Sequence, residues 1–186
     1  LAPTSSPTPT PIATLAPTNT PTPLPTQPPA EPSTFSLTHL DVGQGDAALI
    51  SCDGHYMLID GGDSSCSDEM YSYLKRNGIS CLDIVVASHA HVDHVGGLSG
   101  ALHYATVGTA YAPVTSYDSD AFRNFVKNLS KRGKSITVPS AGQTFSMGNA
   151  EITIVGPVRT SDEPNNTSIV LRLVYGETSF LFTGDA

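Results

Sequence analysis

The chain has 186 residues, 39% of them hydrophobic and 14% charged, with 9 basic and 17 acidic side chains and a formal net charge of −8. That length suits one domain, and the acidic balance argues against a protein that coats nucleic acid with positive charge, though not against an enzyme whose metals meet a phosphate. No run of 18 or more apolar residues offers a membrane-spanning helix.

The composition is uneven. Eleven of the 15 prolines and nine threonines precede Phe35, and Glu31 is the only charge there. Such a segment has too little apolar surface to build a core, so residues 1–34 read as a disordered Pro/Thr-rich linker. Residues 35–186 carry 16 acids and all 9 bases and are long enough for one core. The tract resembles the stalks that hold extracellular domains off a surface, with an ordinary interdomain linker as the alternative. The first residue is Leu1 and not Met, so the chain is expected to follow a removed or omitted targeting segment, and an extracellular or surface-tethered location is expected.

In chain order, Phe35–Leu40 alternates as a strand, and Val42-Gly43-Gln44-Gly45-Asp46 is a glycine-rich turn. Ala47–Ser51 returns, Asp53-Gly54 signals a hairpin, and Tyr56–Asp60 runs into Gly61-Gly62. A helix follows over 68–77, with Met70, Tyr73 and Leu74 on one face and Gly78 as its stop. Leu82–Ala87 is a buried strand and Ser88–His94 a polar loop. Leu98, Ala101, Leu102 and Ala105 mark a second helix, and Thr109–Ala112 a short strand. Asp120–Lys131 is the clearest helix, with Phe122, Phe125, Val126 and Leu129 at helical spacing. Strands complete the chain at Thr144–Met147, Ala150–Val155, Ser168–Tyr175 and Thr178–Thr183. Strands that alternate with helices early and meander late predict an α/β layered fold, a mixed sheet covered by helices.

The chemistry concentrates in Ser88-His89-Ala90-His91-Val92-Asp93-His94. Imidazole nitrogen and carboxylate oxygen are good ligands for zinc and its neighbours. His89 and His91 lie two apart, so an extended segment points both to one side. Asp93 and His94 are consecutive and diverge, which suits a second metal. A polar loop with incidental histidines is the alternative, and the density of ligands directly after a buried strand argues against it.

His89-x-His91-x-Asp93-His94 with Gly96-Gly97 resembles the HxHxDH signature of the metallo-β-lactamase fold, an αββα sandwich. Leu40 to Ala47, Leu58 to Gly62, and Asn165-Asn166 through Phe182-Thr183-Gly184-Asp185-Ala186 are similar to the metallo-hydrolase domain of competence protein ComEC and its secreted relatives. The resemblance implies that His89 and His91 hold one metal, that Asp93 and His94 hold a second, and that Asp185 bridges both. It makes Asp60 a residue that orients a histidine, or else a cap for the Gly61-Gly62 turn. Asp41 and Asp46 line the mouth of the site or simply form turns.

Two departures from the pattern stand out. The stretch from Glu163 to Ser168 has no histidine, which leaves water or Asn165 to complete the first metal's shell, with Asn166 beside it. The chain also stops one residue after Asp185, whereas the family continues to a late histidine for the second metal. The second half of the sandwich is therefore expected to be incomplete, residues 35–186 being its N-terminal part, with apolar sheet surface exposed.

The resemblance implies two divalent ions, zinc in the first instance with manganese as the alternative, and a bridging hydroxide as nucleophile, oriented by the catalytic Asp93. It favours phosphodiester hydrolysis, of nucleic acid such as DNA or of a cell-wall polymer. Another hydrolase of the fold (lactonase, thioesterase or β-lactamase) and a surface binding module without catalysis are the alternatives. Arg123, Lys127, Lys131, Arg132 and Lys134 form a basic helix face, read first as solvated surface and second as a polyanion-steering patch. Of the three cysteines, Cys52 and Cys81 are expected to be the bridgeable pair, with Cys66 left over.

Overall fold

A computed structural model describes residues 34–186; the linker reading of residues 1–34 lies outside the described residues apart from Thr34. Two β-sheets are stacked, with helices on the outer face of the first. The first sheet has six strands in the order β1-β2-β3-β4-β5-β6: β1 (Phe35–His39), β2 (Ala48–Cys52), β3 (His55–Ile59), β4 (Cys81–Val86), β5 (Thr106–Tyr111) and β6 (Ile136–Thr137). β1, β2 and β3 pair antiparallel, and β3 through β6 pair parallel. The second sheet is antiparallel in the order β10-β9-β8-β7, formed by β7 (Thr144–Met147), β8 (Ala150–Gly156), β9 (Val170–Tyr175) and β10 (Thr178–Phe182).

Both faces of the central strands β2, β3 and β4 are largely buried, which explains their apolar runs, whereas the edge strand β1 alternates and stays partly exposed. Leu49, Leu58 and Val85 face the helices and pack with Met70 and Leu74 of α1 (Ser67–Arg76), Leu98 and Leu102 of α3 (Leu98–Tyr104), and Phe122, Phe125 and Leu129 of α4 (Asp120–Lys131). Ile50, Met57, Ile59 and Val86 face the second sheet and meet Ile152, Ile154, Leu171 and Leu173. Each of these large side chains contributes about 1.5–3 kcal/mol on leaving water. The outer face of the second sheet is mixed: Val155 and Leu181 are exposed there beside Glu151 and Arg172.

α4 spans the predicted residues; Ser119 caps it by accepting the Phe122 amide, and Gly133 follows its end. Its basic residues are exposed, as expected of a solvated face. Arg123 pairs with Asp118 and Asp120, and Arg132 donates to the carbonyls of Leu102 and His103. Several elements differ from expectation, among them β6, a two-residue strand that the pattern did not give. The loop 88–94 ends in a helical turn, α2 (Val92–Val95), whose first bonds close back onto the His91 carbonyl. β5 begins three residues earlier than the pattern suggested, and β9 begins two residues later because Asn165–Thr167 curl into a 3-10 turn.

The cysteine expectation is overturned. Cys52, Cys66 and Cys81 are all free. Cys52 lies on β2 and Cys81 on β4, and β3 runs between them. Two strand spacings amount to about 10 Å, beyond the roughly 7 Å between Cα atoms that a disulfide tolerates.

Candidate metal centre

The site lies at the carboxyl ends of β3 and β4, where parallel strands release their chains into loops. β3 leads into Asp60, which takes a positive φ of 58° and is 1% exposed. β4 runs through Ala87 into Ser88 and His89, both buried. Two glycine pairs bring these loops together. Gly61 N donates to the His94 carbonyl (2.8 Å) and Gly97 N to the Gly62 carbonyl (3.0 Å). A Cβ on Gly97 would stand 1.9 Å from the Gly61 oxygen, so only glycine allows this approach.

Asp60 sits at the centre of the resulting network. Its Oδ1 accepts the Ser88 amide (2.7 Å), and its Oδ2 accepts the Ser88 hydroxyl (2.6 Å) and faces His94 Nδ1 (2.9 Å). Both carboxylate oxygens are thus occupied, and His94 is held with Nε2 turned to Asp185 Oδ1, 3.3 Å away. The other Asp185 oxygen lies 3.8 Å from His89 Nε2. His89 Nε2 also stands 3.2 Å from His91 Nδ1. Gly184, with φ 52°, lets the chain pass: a Cβ there would lie 2.8 Å from the Ser88 hydroxyl.

Potential ligand atoms of His89, His91 and Asp185 lie within 4.8 Å of one another, and so do those of Asp46, Asp60 and His94. Because Asp60 already accepts three hydrogen bonds, Asp46 is the carboxylate left open in the second group. Asp93 belongs to neither group; its Oδ2 accepts from Gln44 Nε2 at 3.2 Å. Asp41 also belongs to neither, and its Oδ1 accepts the Gly43 amide as a turn former does. Asn165 is half-buried with its Oδ1 unpartnered among the described residues, and Asn166 is exposed. Gln44 and Ser88 carry no chemical signature in the sequence and emerge only from the packing.

Electrostatics set the two buried histidines apart. A ligating imidazole must be unprotonated. Burial above all, then the neighbouring His94, holds His89 down to about 4, so it is neutral at physiological pH. Burial also pulls His94 down, yet the hydrogen bond and charge of Asp60, with Asp185 and Asp93, raise it above its ordinary value, so an ion bound there must displace a more firmly held proton. Three imidazoles with exposed carboxylates at their rim form a nitrogen–oxygen set that fits a divalent ion of the zinc or manganese kind.

The model of the metallo-beta-lactamase superfamily matches residues 40–186, and the chain belongs to that superfamily. Recombination protein 2 of Haemophilus influenzae is 32% identical over 159 residues, covering 82% of this chain and 18% of that protein. ComE operon protein 3 of Bacillus subtilis is 23% identical over 165 residues, covering 78% of this chain and 21% of that one. The chain therefore spans about a fifth of the length of these curated relatives, and they bear out the ComEC-like resemblance. Among solved structures, a metallo-beta-lactamase of Cronobacter sakazakii superposes with a TM-score of 0.56 at 14% identity, over 81% of this chain and 60% of that one. The chain thus carries the fold of the superfamily's hydrolases, with candidate metal-binding groups at the carboxyl ends of its strands.

Proposed function

We propose that this domain is a dinuclear metal-dependent phosphodiesterase. The observation that carries the reading is the division of the Asp185 carboxylate, one oxygen toward His89 and the other toward His94, the arrangement of a group shared by two neighbouring cation positions. His89 and His91 would hold one ion, and His94 and Asp93, with Asp46 at the rim, the other. Zinc suits the imidazole-rich donors, and manganese the carboxylate-rich side.

The ions, when bound, supply Lewis acidity and a nucleophile at neutral pH. The chain's own part is preorganisation. Asp60 and Ser88 fix the His94 ring and its tautomer, His89 stays neutral through burial, and Asp185 sets the spacing between the two histidine groups. Phosphodiester linkage as the substrate class is supported by the relatives named Recombination protein 2 and ComE operon protein 3. The Pro/Thr-rich composition before Phe35 supports a location outside the cell. No helix among the described residues is long and apolar enough to cross a membrane.

Metal content and turnover of bis-p-nitrophenyl phosphate, beside a lactone and a chromogenic β-lactam, test the reading. Two equivalents of metal and phosphodiester turnover, both lost in His91→Ala, are expected. Turnover of the lactone or β-lactam alone would replace the substrate class, and a chain that takes up no metal would overturn the enzyme.

A further inference from the structure

The loop from Asp41 to Asp46 contributes more than a turn. Gly43 and Gly45 have φ of 68° and 94°, a backbone that side chains rarely adopt. Two such residues on either side place Gln44 at the apex of the loop. The loop is fastened on both flanks. The Asp46 carbonyl accepts the Gly62 amide at 2.9 Å, and Val42 packs on Gly62 so closely that a Cβ there would stand 2.6 Å from Val42 Cβ. Gly45 lies directly on the backbone of the HxHxDH segment: a Cβ at Gly45 would be 1.8 Å from the Asp93 carbonyl oxygen. The one side chain this apex sends across is Gln44, whose Nε2 donates to Asp93 Oδ2 at 3.2 Å. A carboxylate only accepts, so the amide must present its NH2 end.

We infer that Gln44 is a positioning residue for Asp93: its amide holds Oδ2 and thereby restricts the carboxylate to one rotamer. This rests on the reading of Asp93 as a ligand. Asp93 stands on the four-residue α2 and is partly exposed. With no other hydrogen-bond partner among the described residues, its side chain would otherwise sample several rotamers. Partners that orient a ligand are typically worth 10- to 100-fold in metal affinity, whereas a hydrogen bond between exposed groups adds little to folding.

The test is a double-mutant cycle read by cobalt(II) titration, followed through the visible spectrum and by calorimetry, on the 186-residue chain. The four proteins are wild type, Gln44→Met, Asp93→Ala and the double variant; methionine keeps the length of glutamine and removes the donor. Gln44→Met is expected to weaken the Asp93-dependent binding event about tenfold, to leave the other event in place, and to shift the metal-free melting midpoint by less than about 2 °C. In the Asp93→Ala background the same substitution should change affinity less than about twofold. Unchanged titration in Gln44→Met, equal weakening in both backgrounds, or loss of both events together with a much lower melting midpoint would each overturn the inference. A wild-type chain that binds no cobalt overturns the metal reading itself, and this inference with it; that result is visible before any substitution is made.

Discussion

His94 Nδ1 and Asp60 Oδ2 lie 2.9 Å apart with both side chains shut away from water, 2% and 1% exposed. This pair fixes the site from behind. Its Asp60 end is tied to Ser88 by two further bonds, so the loops after β3 and β4 and the turn of α2 share one carboxylate. Removing that carboxylate leaves the buried Ser88 amide unpaired and takes from His94 Nδ1 its short, charged partner. Asp60→Ala is therefore expected to destabilise the metal-free chain by about 3 kcal/mol, measured by urea unfolding. Asp60→Asn, which keeps the shape and one oxygen, should cost less yet still weaken metal uptake, because it no longer imposes the Nδ1–H tautomer on His94.

The metal-free chain should have its stability maximum in the weakly acidic to neutral range. His89 has a folded-state value of about 4 against an ordinary 6.5. The unfolded chain binds that proton more readily, so stability is present above about pH 6.5 and is lost as pH falls toward 4. His94 is shifted upward and acts in the opposite sense: its contribution is full below its ordinary value and is lost as pH rises through the raised one. Urea midpoints measured from pH 4 to 9 with chelator present should show both limbs. His89→Gln should flatten the acidic limb between pH 4 and 6.5 and spare the alkaline one. An unchanged acidic limb would show that His89 titrates normally.

The sequence carried the parts of this site whose chemistry is local. The four ligand-type residues of the 88–94 segment, and the glycine pairs at 61–62 and 96–97, could be read directly because spacing and residue type are the signal. The placement of Asp185 between His89 and His94 was legible only through family resemblance, since nearly a hundred residues separate it from that segment. Helix 120–131 was legible to the residue because its amphipathic repeat is strong. Asp46 beside His94, Gln44 on Asp93 and Ser88 on Asp60 were not legible as contacts, because each depends on one loop crossing another. The cysteine expectation failed for a related reason: spacing along the chain does not show that β3 lies between Cys52 on β2 and Cys81 on β4.

Free cysteines give a direct check on that strand order. Without reductant, a thiol reagent should find three free thiols in the unfolded chain. In the folded chain Cys81, exposed at the start of β4, should react first. Cys52 is buried and its thiol is pushed up chiefly by that burial, so it should react only at the rate of unfolding. A disulfide mapped between Cys52 and Cys81 would contradict the separation of β2 from β4.

The fit of the 41–46 loop on the HxHxDH segment can be separated from the backbone strain of the loop itself. Gly43 and Gly45 both have positive φ, but a Cβ on Gly43 meets nothing within 4 Å, while one on Gly45 falls 1.8 Å from the Asp93 carbonyl oxygen. Gly43→Ala should therefore cost only the left-handed backbone penalty, about 1–2 kcal/mol, and leave metal uptake near wild type. Gly45→Ala adds a collision with backbone that cannot rotate away, for a total of about 3 kcal/mol or more. Relief of that collision requires the loop to lift from Asp93, so metal binding should fall with it. Chemical unfolding of the two variants, each followed by metal titration, gives the comparison. Equal losses in both would mean that the loop does not bear on Asp93 in solution, whereas a loss of metal binding confined to Gly45→Ala would show that the two segments act as one unit.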